Sequence, residues 1–340
     1  MSQPGVPADP ARTAEGSGHP TNTPPSPDDT TPPTVAVLGL GAMGLPMALR
    51  LGTELPVWAF DISAERRELA TEGGAVGAAS PALACRAADV AVLAVRDEAQ
   101  LRAALFGDDG AIHTLRPGAV VVLTSTVGPE AARAVAAALA ERQIDLVDAP
   151  VSGGPVRAGT GDLLIMVGAT DRGLARGRRV LDLLASTVYV VGPHPGDGQT
   201  MKTVNQLLCG IHTAAAAEAL ALARALGLDL DTVVEVLGSG AAASFMLADR
   251  GPRMARAYTG DVELRSRLDV ISKDMHIVGR VASAAGVPTP VAAAATQLYT
   301  LAMRQGMAAE DDSTVVTLLA PQDGTAGSER PDPPTGGAGR

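Results

Sequence analysis

The chain has 340 residues, enough for two domains, and 46% of them are hydrophobic but only 2% aromatic, so its cores must be built from alanine, valine and leucine. A net charge of −10 without a basic cluster argues against nucleic acid or an anionic membrane as a partner. Cys85 and Cys209 lie far apart without metal-ligand spacing, which predicts buried thiols in a reducing cytoplasm and no metal site. Neither a signal pattern nor an apolar run of membrane-spanning length is evident.

Two terminal segments have a composition that cannot form a core. Proline, threonine, serine, glycine and aspartate dominate residues 1–33, and residues 321–340 have the same character. Such segments bury too little apolar surface to offset the entropy of ordering, so both are predicted to be disordered tails.

The first predicted strand, 34–39, runs directly into a glycine-rich turn and a helix that ends near Gly52. A GxGxxG pattern between a strand and a helix is typical of a dinucleotide-binding turn, in which the helix N-terminus binds the pyrophosphate. Gly39 is predicted to make the tight turn, Gly41 to let the pyrophosphate approach, and Gly44 to let helix and strand pack closely. The predicted cofactor-binding residues of this turn are Gly39, Leu40, Gly41, Ala42, Met43 and Gly44.

A second strand, 56–60, ends at Asp61, about twenty residues after the glycines. An acid there accepts a hydrogen bond from the adenosine ribose and repels a 2′-phosphate, which favours NAD over NADP. Arg66 and Arg67 weaken this preference because a nearby arginine can accommodate the phosphate, so NADP stays possible.

The alternation of strands and helices then continues to residue 192. Further strands are predicted at 88–95, 118–125, 144–151, 163–168 and 187–192, and helices at 98–106, 129–142 and 171–184. This βαβ series predicts an α/β fold with a doubly wound, Rossmann-type sheet, whose ligands lie beyond the carboxyl ends of the strands. Asp148, at one strand end, is interpreted as fixing the following loop.

Only helices are predicted after Gly198, at 199–226, 230–237, 264–285 and 291–305. The predicted domains are therefore a dinucleotide-binding domain, 34–195, and an all-helical domain, 196–320, linked by a long interdomain helix. The acidic run 310–313 is interpreted as a helix start, which the helix dipole favours.

Two rare residue types meet at the start of the long helix. Lys202 and Lys273 are the only lysines, so the 27 basic residues include 27 − 2 = 25 arginines, and the only asparagine besides Asn205 is Asn22. Lysine can give up its proton when its surroundings lower its pKa, which arginine cannot. On a helix, Lys202 and Asn205 share a face.

Four motifs in order resemble the β-hydroxyacid dehydrogenase family, which includes 3-hydroxyisobutyrate, tartronate semialdehyde and L-threonate enzymes. They cover nearly everything between the tails. The motifs are Gly39-x-Gly41-x-Met43-Gly44-x-x-Met47, Asp148-Ala-Pro-Val-Ser-Gly-Gly154, Gly196-x-Gly198-x-x-x-Lys202-x-x-Asn205 and Lys273-Asp274.

The resemblance implies a role for each matched residue. Lys202 would be the catalytic acid/base and Asn205 would orient the substrate. Ser152, Gly153 and Gly154 would hold the substrate carboxylate, whereas Thr126 and Lys273 would contact the nicotinamide half of NAD. Family members are usually dimers or tetramers, so a homodimer or homotetramer is expected.

Within the family, the similarity is nearest to the branch that acts on L-threonate and related four-carbon sugar acids. Gln206 stands where many members have a second asparagine, and Val95-Arg96 where many have Leu-Pro; both differences occur toward that branch. The substrate could also be 3-hydroxyisobutyrate or tartronate semialdehyde. A non-catalytic dinucleotide-binding interaction module is a further alternative, against which the retained Lys202 argues.

Overall fold

The computed structural model describes residues 31–260 and 262–319, and the predicted tails lie outside this part except for residues 31–33. Short β-branched apolar runs form its strands, because such side chains pack well on both faces of a buried parallel sheet. The nine strands of the described chain are β1 (Val35–Leu38), β2 (Val57–Phe60), β3 (Val76–Gly77), β4 (Val90–Leu93), β5 (Val120–Leu123), β6 (Asp145–Asp148), β7 (Val151–Ser152), β8 (Leu163–Gly168) and β9 (Ala185–Gly192).

The strands form one sheet in the order β3-β2-β1-β4-β5-β6-β8-β7, with β9 also paired to β8. Strands β1 to β6 pair in parallel, β8 is antiparallel to β6, and β9 runs parallel to β8. The predicted doubly wound sheet is confirmed, with an antiparallel extension at one side.

One predicted strand, 144–151, is divided in the structure. β6 ends at Asp148 and β7 begins at Val151, so Ala149 and Pro150 interrupt the run. Proline lacks the N–H that a central strand needs, and the prediction of a continuous strand overlooked this constraint.

Helices cover both faces of the sheet. They are α1 (Gly44–Gly52), α2 (Ala64–Glu72), α3 (Pro81–Cys85), α4 (Glu98–Phe106), α5 (Pro129–Ala140), α6 (Gly154–Thr160), α7 (Asp171–Leu184), α8 (Asp197–Ala225), α9 (Leu230–Gly238), α10 (Phe245–Ala257), α11 (Leu268–Ala284) and α12 (Pro290–Arg304), with short 3₁₀ segments at Ala111–His113, Met307–Ala309 and Asp312–Leu318.

The sheet separates two hydrophobic layers. Val35 and Val37 of β1 face the layer that includes α1 and α7, whereas Ala36 and Leu38 face the layer that includes α4 and α5. This alternation follows from the two-residue period of a strand. A third cluster joins α8, α10, α11 and α12 around Tyr299, and it forms the predicted helical part. The boundary at 195/196 stays a prediction.

The prediction missed four helices of the described chain, α2, α3, α6 and α10, and placed the start of α11 too early. Helix α10 was not predicted, because Pro252 lies inside it and interrupts the helical pattern. The helix predicted at 264–285 begins only at Leu268, since the backbone N–H groups of Arg265 and Ser266 bind the Asp311 carboxylate instead.

The acidic run near residue 311 has a structural role. Asp311 caps the 3₁₀ segment Asp312–Leu318 and accepts from Arg253 Nε at 3.0 Å, and the buried Asp312 accepts from Arg250 Nη2 at 3.0 Å. These pairs attach α10 to the end of the described chain. The interpretation as an acidic helix start therefore holds, with arginine neutralising the buried acids.

Helix α8 is the one helix of the described part that is long and apolar enough to cross a membrane, which the sequence analysis did not expect. Its buried residues include Ala217 and Leu220, which lie in the helical cluster. A core helix passes the same length and composition test, and α8 packs against α10, α11 and α12 as a core helix does, with 44% of its most apolar window buried.

Candidate active site

The turn between β1 and α1 has the shape that a dinucleotide requires. Gly39 has φ +93°, and a Cβ there would lie 2.6 Å from the Ala94 carbonyl oxygen. A Cβ at Gly44 would overlap the Gly39 carbonyl oxygen, whereas one at Gly41 would meet nothing within 4 Å. The first turn of α1 carries no acidic residue. The turn is thus closely packed behind and open in front, where helix N–H groups can bind an anion.

The carboxylate of Asp61 lies beside this turn. Its Oδ2 accepts from the Leu40 N–H at 2.7 Å, and its Oδ1 accepts from the Ser63 N–H at 2.8 Å. Arg67 Nη1 donates to the Asp61 carbonyl oxygen at 2.6 Å, and Arg66 is exposed. Asp61 therefore holds the glycine turn in place.

Lys202 lies in α8, about a turn and a half from the helix start, and only 7% of it is exposed. Burial lowers the pKa of Lys202 below its ordinary value, and the charge of Lys273 lowers it further, whereas the charges of Asp274 and Cys209 raise it. Among the described residues its ammonium group makes no ion pair. A buried lysine without a paired carboxylate is suited to exchange a proton.

Asn205 lies one helical turn after Lys202. Its Nδ2 donates to Gln206 Oε1 at 2.8 Å and to Cys209 Sγ at 3.4 Å. Gln206 Nε2 in turn donates to Asp274 Oδ2 at 2.5 Å. Gln206, which stands where many members of the resembled family have asparagine, thus connects α8 to α11.

Asp274 and its neighbour Lys273 continue these contacts to the sheet. Lys273 Nζ lies 3.0 Å from Asp274 Oδ1 and donates to the Thr126 carbonyl oxygen at 2.7 Å. Thr126 follows β5. The two residues that the resemblance assigned to the nicotinamide half are therefore in direct contact.

A cleft of about 450 Å³ lies between the sheet and α11. Thr126 and Lys273 both line it, together with Arg102 in the middle of α4 and Arg280 on α11. The cleft and the open glycine turn lie beyond the carboxyl ends of the parallel strands, where nucleotides bind in such folds. These features fit a dinucleotide.

The segment Ser152, Gly153 and Gly154 connects β7 to α6. Gly153 has φ +142° and Gly154 φ +77°, and a Cβ at Gly154 would meet nothing within 4 Å. Backbone in these conformations with open space in front can present N–H groups to an anion such as a carboxylate. No hydrogen bond joins Ser152 to Lys202 in the described chain.

Gln199 is a site residue that the sequence analysis missed. It is fully buried, and its side chain binds the loop after β5 and the Asp148 carboxylate. The local signal was its place between Gly198 and Lys202. Asp148 fixes the loop before α8 as well, through the Gly196 N–H at 2.9 Å.

Asp274 belongs to the fourth motif, for which the resemblance gave it no role; it forms an ion pair with Lys273, and its charge raises the pKa of Lys202. No group of three histidine, cysteine, aspartate or glutamate side chains suited to a metal ion occurs within 31–260 and 262–319.

Two family models cover the described chain. The NAD binding domain of 6-phosphogluconate dehydrogenase matches residues 34–192, and the NAD-binding model of NADP-dependent 3-hydroxyisobutyrate dehydrogenase matches residues 196–319.

Individual proteins are similar over nearly the same range. L-threonate dehydrogenase of Escherichia coli K12 is 35% identical over 288 residues, which are 84% of this chain and 94% of that protein. NAD-dependent L-serine dehydrogenase of Pseudomonas aeruginosa is 31% identical over 85% of this chain and 99% of its own. The crystal structure of 3-hydroxyisobutyrate dehydrogenase from Salmonella typhimurium has a TM-score of 0.78 at 37% identity, covering 84% of this chain and 99% of that one.

Proposed function

Since this chain belongs to the 3-hydroxyisobutyrate dehydrogenase-like family of β-hydroxyacid dehydrogenases and is an NAD(P)-dependent oxidoreductase of hydroxy acids, we propose that its substrate is L-threonate or a related four-carbon sugar acid. The similarity to L-threonate dehydrogenase over 84% of the chain supports this choice. Gln206, which replaces the second asparagine of many members, supports it from within the site.

Lys202 is the proposed acid/base, and its burial without a paired carboxylate is the observation that carries this role. The bound nicotinamide supplies the hydride acceptor or donor. During oxidation, neutral Lys202 accepts the proton of the substrate hydroxyl at Nζ. During reduction, its ammonium group polarises the carbonyl and returns the proton. Help of this kind is worth roughly 10²–10⁴-fold in rate.

The other site residues position the reactants in this proposal. Asn205 has its Nδ2 engaged with Gln206 and Cys209, so its Oδ1 is the atom that it offers to a substrate hydroxyl. Ser152, Gly153 and Gly154 bind the carboxylate. The Thr126 and Lys273 pair contacts the nicotinamide half of the cofactor.

NAD is the proposed physiological cofactor. Asp61 carries a negative charge beside the glycine turn, where it would accept from a ribose hydroxyl and repel a 2′-phosphate. The exposed Arg66 keeps use of NADP possible, although Arg67 is already bound to the Asp61 carbonyl oxygen.

The protein is proposed to act in the cytoplasm as a homodimer or homotetramer. Free Cys85 and Cys209 agree with a reducing compartment. Met201, Val204 and Leu208 are exposed on one face of α8, where the i, i+3, i+7 spacing forms an apolar stripe that a second copy would cover.

A substrate panel tests the proposal. L-Threonate, other four-carbon acids, 3-hydroxyisobutyrate, L-serine and tartronate semialdehyde are each assayed with NAD or NADH and with NADP or NADPH. We expect the highest kcat/KM for L-threonate with NAD. A higher kcat/KM for 3-hydroxyisobutyrate or tartronate semialdehyde would identify that acid as the substrate instead of L-threonate. A protein that binds NADH but turns over no acid in the panel would instead support the non-catalytic module.

A further inference from the structure

The side chain of Gln199 makes every hydrogen bond that a carboxamide can make in its plane. Its Oε1 accepts from the N–H groups of Val127 at 2.9 Å and Gly128 at 3.0 Å. Its Nε2 donates to the Ser125 carbonyl oxygen at 3.0 Å and to Asp148 Oδ1 at 2.9 Å. The residue is fully buried. Water therefore cannot replace any of these bonds if the amide is removed.

Asp148 fixes the other end of this arrangement. Its Oδ2 accepts from the N–H groups of Gly196 and Gln199, both at 2.9 Å. Together with the bond from Gln199 Nε2, the Asp148 carboxylate accepts three hydrogen bonds and donates none. Because the two backbone N–H groups of the β5 loop hold Gln199 Oε1, the amide cannot rotate by 180°, and its Nε2 must face an acceptor. The aspartate provides that acceptor.

The contacts join three parts of the candidate active site. The loop 125–128 contains Thr126, whose carbonyl oxygen accepts from Lys273. Asp148 ends β6, four residues before Ser152. Gln199 itself lies three residues before Lys202 in α8, so it is on nearly the same face of the same helix.

We propose that Gln199, oriented by Asp148, is a positioning residue that sets the place of Lys202 relative to the nicotinamide-side loop 125–128. This rests on the proposed acid/base role of Lys202. Hydride and proton must leave neighbouring atoms of one substrate, so an error of about 1 Å between cofactor loop and lysine costs roughly 10²-fold in rate. No hydrogen bond of the described chain joins Gln199 to the glycine turn, where the other half of the dinucleotide would bind.

The first test is Gln199→Met, which keeps the length of the side chain and removes all four bonds. The amides of Val127 and Gly128 should then exchange hydrogen faster, by about tenfold or more. Affinity for ADP-ribose, which reaches only the glycine turn, should stay within about twofold of the wild type. Turnover should fall roughly 10²-fold, with a primary deuterium isotope effect on kcat larger than in the wild type.

Thr203→Val is the matched control. Thr203 is also buried in α8, but its hydroxyl bond goes to the Gln199 carbonyl oxygen within the helix. Its removal deletes one buried hydrogen bond without touching the loop 125–128. We expect unchanged exchange at Val127 and Gly128, and an isotope effect equal to that of the wild type.

Gln199→Glu adds a pH readout. The introduced carboxyl group, when ionised, would place its oxygen against Asp148 Oδ1, whereas in its protonated form it would donate to that oxygen and restore the contact. Asp197 is the other charged group that acts on Asp148. Two buried carboxylates share a proton readily. The rate of this variant relative to the wild type should therefore rise as the pH falls from about 8 to about 6, and that of Gln199→Met should not.

Wild-type kcat and isotope effect in a folded Gln199→Met protein would overturn the proposal. A Gln199→Met protein that loses ADP-ribose affinity as well as turnover would also overturn it, because Gln199 would then stabilise the whole fold and not only the position of Lys202. If Gln199→Met does not fold, the pH series of Gln199→Glu decides in the same way. If the wild type oxidises no acid, the proposed function fails, whereas the amide exchange still tests what Gln199 holds.

Discussion

At Lys202, residue type and burial act together. A solvated lysine keeps its proton near neutral pH, but burial in α8 lowers the pKa of Lys202. Lys202→Ala is therefore expected to lower kcat by roughly 10²–10⁴-fold with unchanged NADH affinity. Lys202→Arg should be almost as damaging, because a guanidinium group does not deprotonate. Steady-state kinetics and NADH fluorescence titration measure both, and near-wild-type turnover in either variant would remove Lys202 from the mechanism.

The charge of Asp274 should appear in the pH dependence of oxidation. In the proposed mechanism neutral Lys202 accepts the substrate proton, so kcat/KM for oxidation should rise with pH through the Lys202 pKa, which burial lowers below its ordinary value. Asp274 raises that pKa, so Asp274→Asn should move the rise to lower pH. The introduced carboxamide keeps an oxygen for the bond from Gln206. A profile that moves to higher pH, or stays in place, contradicts the assigned electrostatics.

At the scale of elements, the approach of α8 to α11 brings the two lysines together. A Cβ at Gly210 of α8 would overlap Met275 Sδ in α11, and Tyr299 Oη donates to the Gly210 carbonyl oxygen at 2.6 Å. Met275 is fully buried and follows Asp274. The spacing of these helices therefore depends on the missing side chain at residue 210.

Gly210→Ala is expected to destabilise the protein by about 1–3 kcal/mol, as overpacking of a core does. Gly279→Ala is the matched control. Gly279 lies inside α11, and a Cβ there meets nothing within 4 Å. Its replacement should stabilise the helix by roughly 0.5–1 kcal/mol, because alanine restricts the unfolded chain. Chemical denaturation gives the free energy of unfolding of both variants. Equal changes of the same sign in the two variants would contradict the close packing of α8 on α11 at Gly210.

At the scale of the whole molecule, an apolar stripe on α8 remains open. Met201, Val204, Leu208 and Leu222 are 45–61% exposed and lie at spacings that keep one helix face. Several large apolar side chains along one helix face are typical of an interface. The proposed homo-oligomer would bury this stripe. Helix α8 would then pack against its own helical cluster on one face and against a second copy of the chain on the other.

Leu222→Glu is expected to dissociate the oligomer, because a carboxylate cannot be buried unpaired in an apolar interface. Leu222 is about 30 Å along the helix from Lys202 by the 1.5 Å rise per residue, so the site itself is untouched. Light scattering after size exclusion measures the mass. Val287→Glu, on a loop before α12, is the control and should leave the mass unchanged. An oligomer that survives Leu222→Glu places its interface elsewhere.

The local features of this protein were predictable from sequence. The strand, turn and helix at residues 35–52 form a contiguous unit in which Gly39 and Gly44 have no room for a Cβ and Gly41 leaves the front of the turn open, so the dinucleotide turn could be identified from the local pattern alone. The rarity of lysine pointed to Lys202 and Lys273. Helix α10 could not be predicted because packing on α8 and α9 overrides its internal proline.

The way in which separate segments meet depends on the packing of the whole fold. Gln199 binds residues 51 to 74 positions earlier in the chain, and Gln206 binds Asp274, 68 positions later. No local pattern encodes such partners, because a buried carboxamide is satisfied only after the strands and helices have packed. The same packing buried Lys202 and lowered its pKa. The amino-acid sequence is therefore sufficient to predict the fold class, the cofactor turn and Lys202 as the candidate acid/base, whereas the packed fold sets the proton affinity of this lysine and its place.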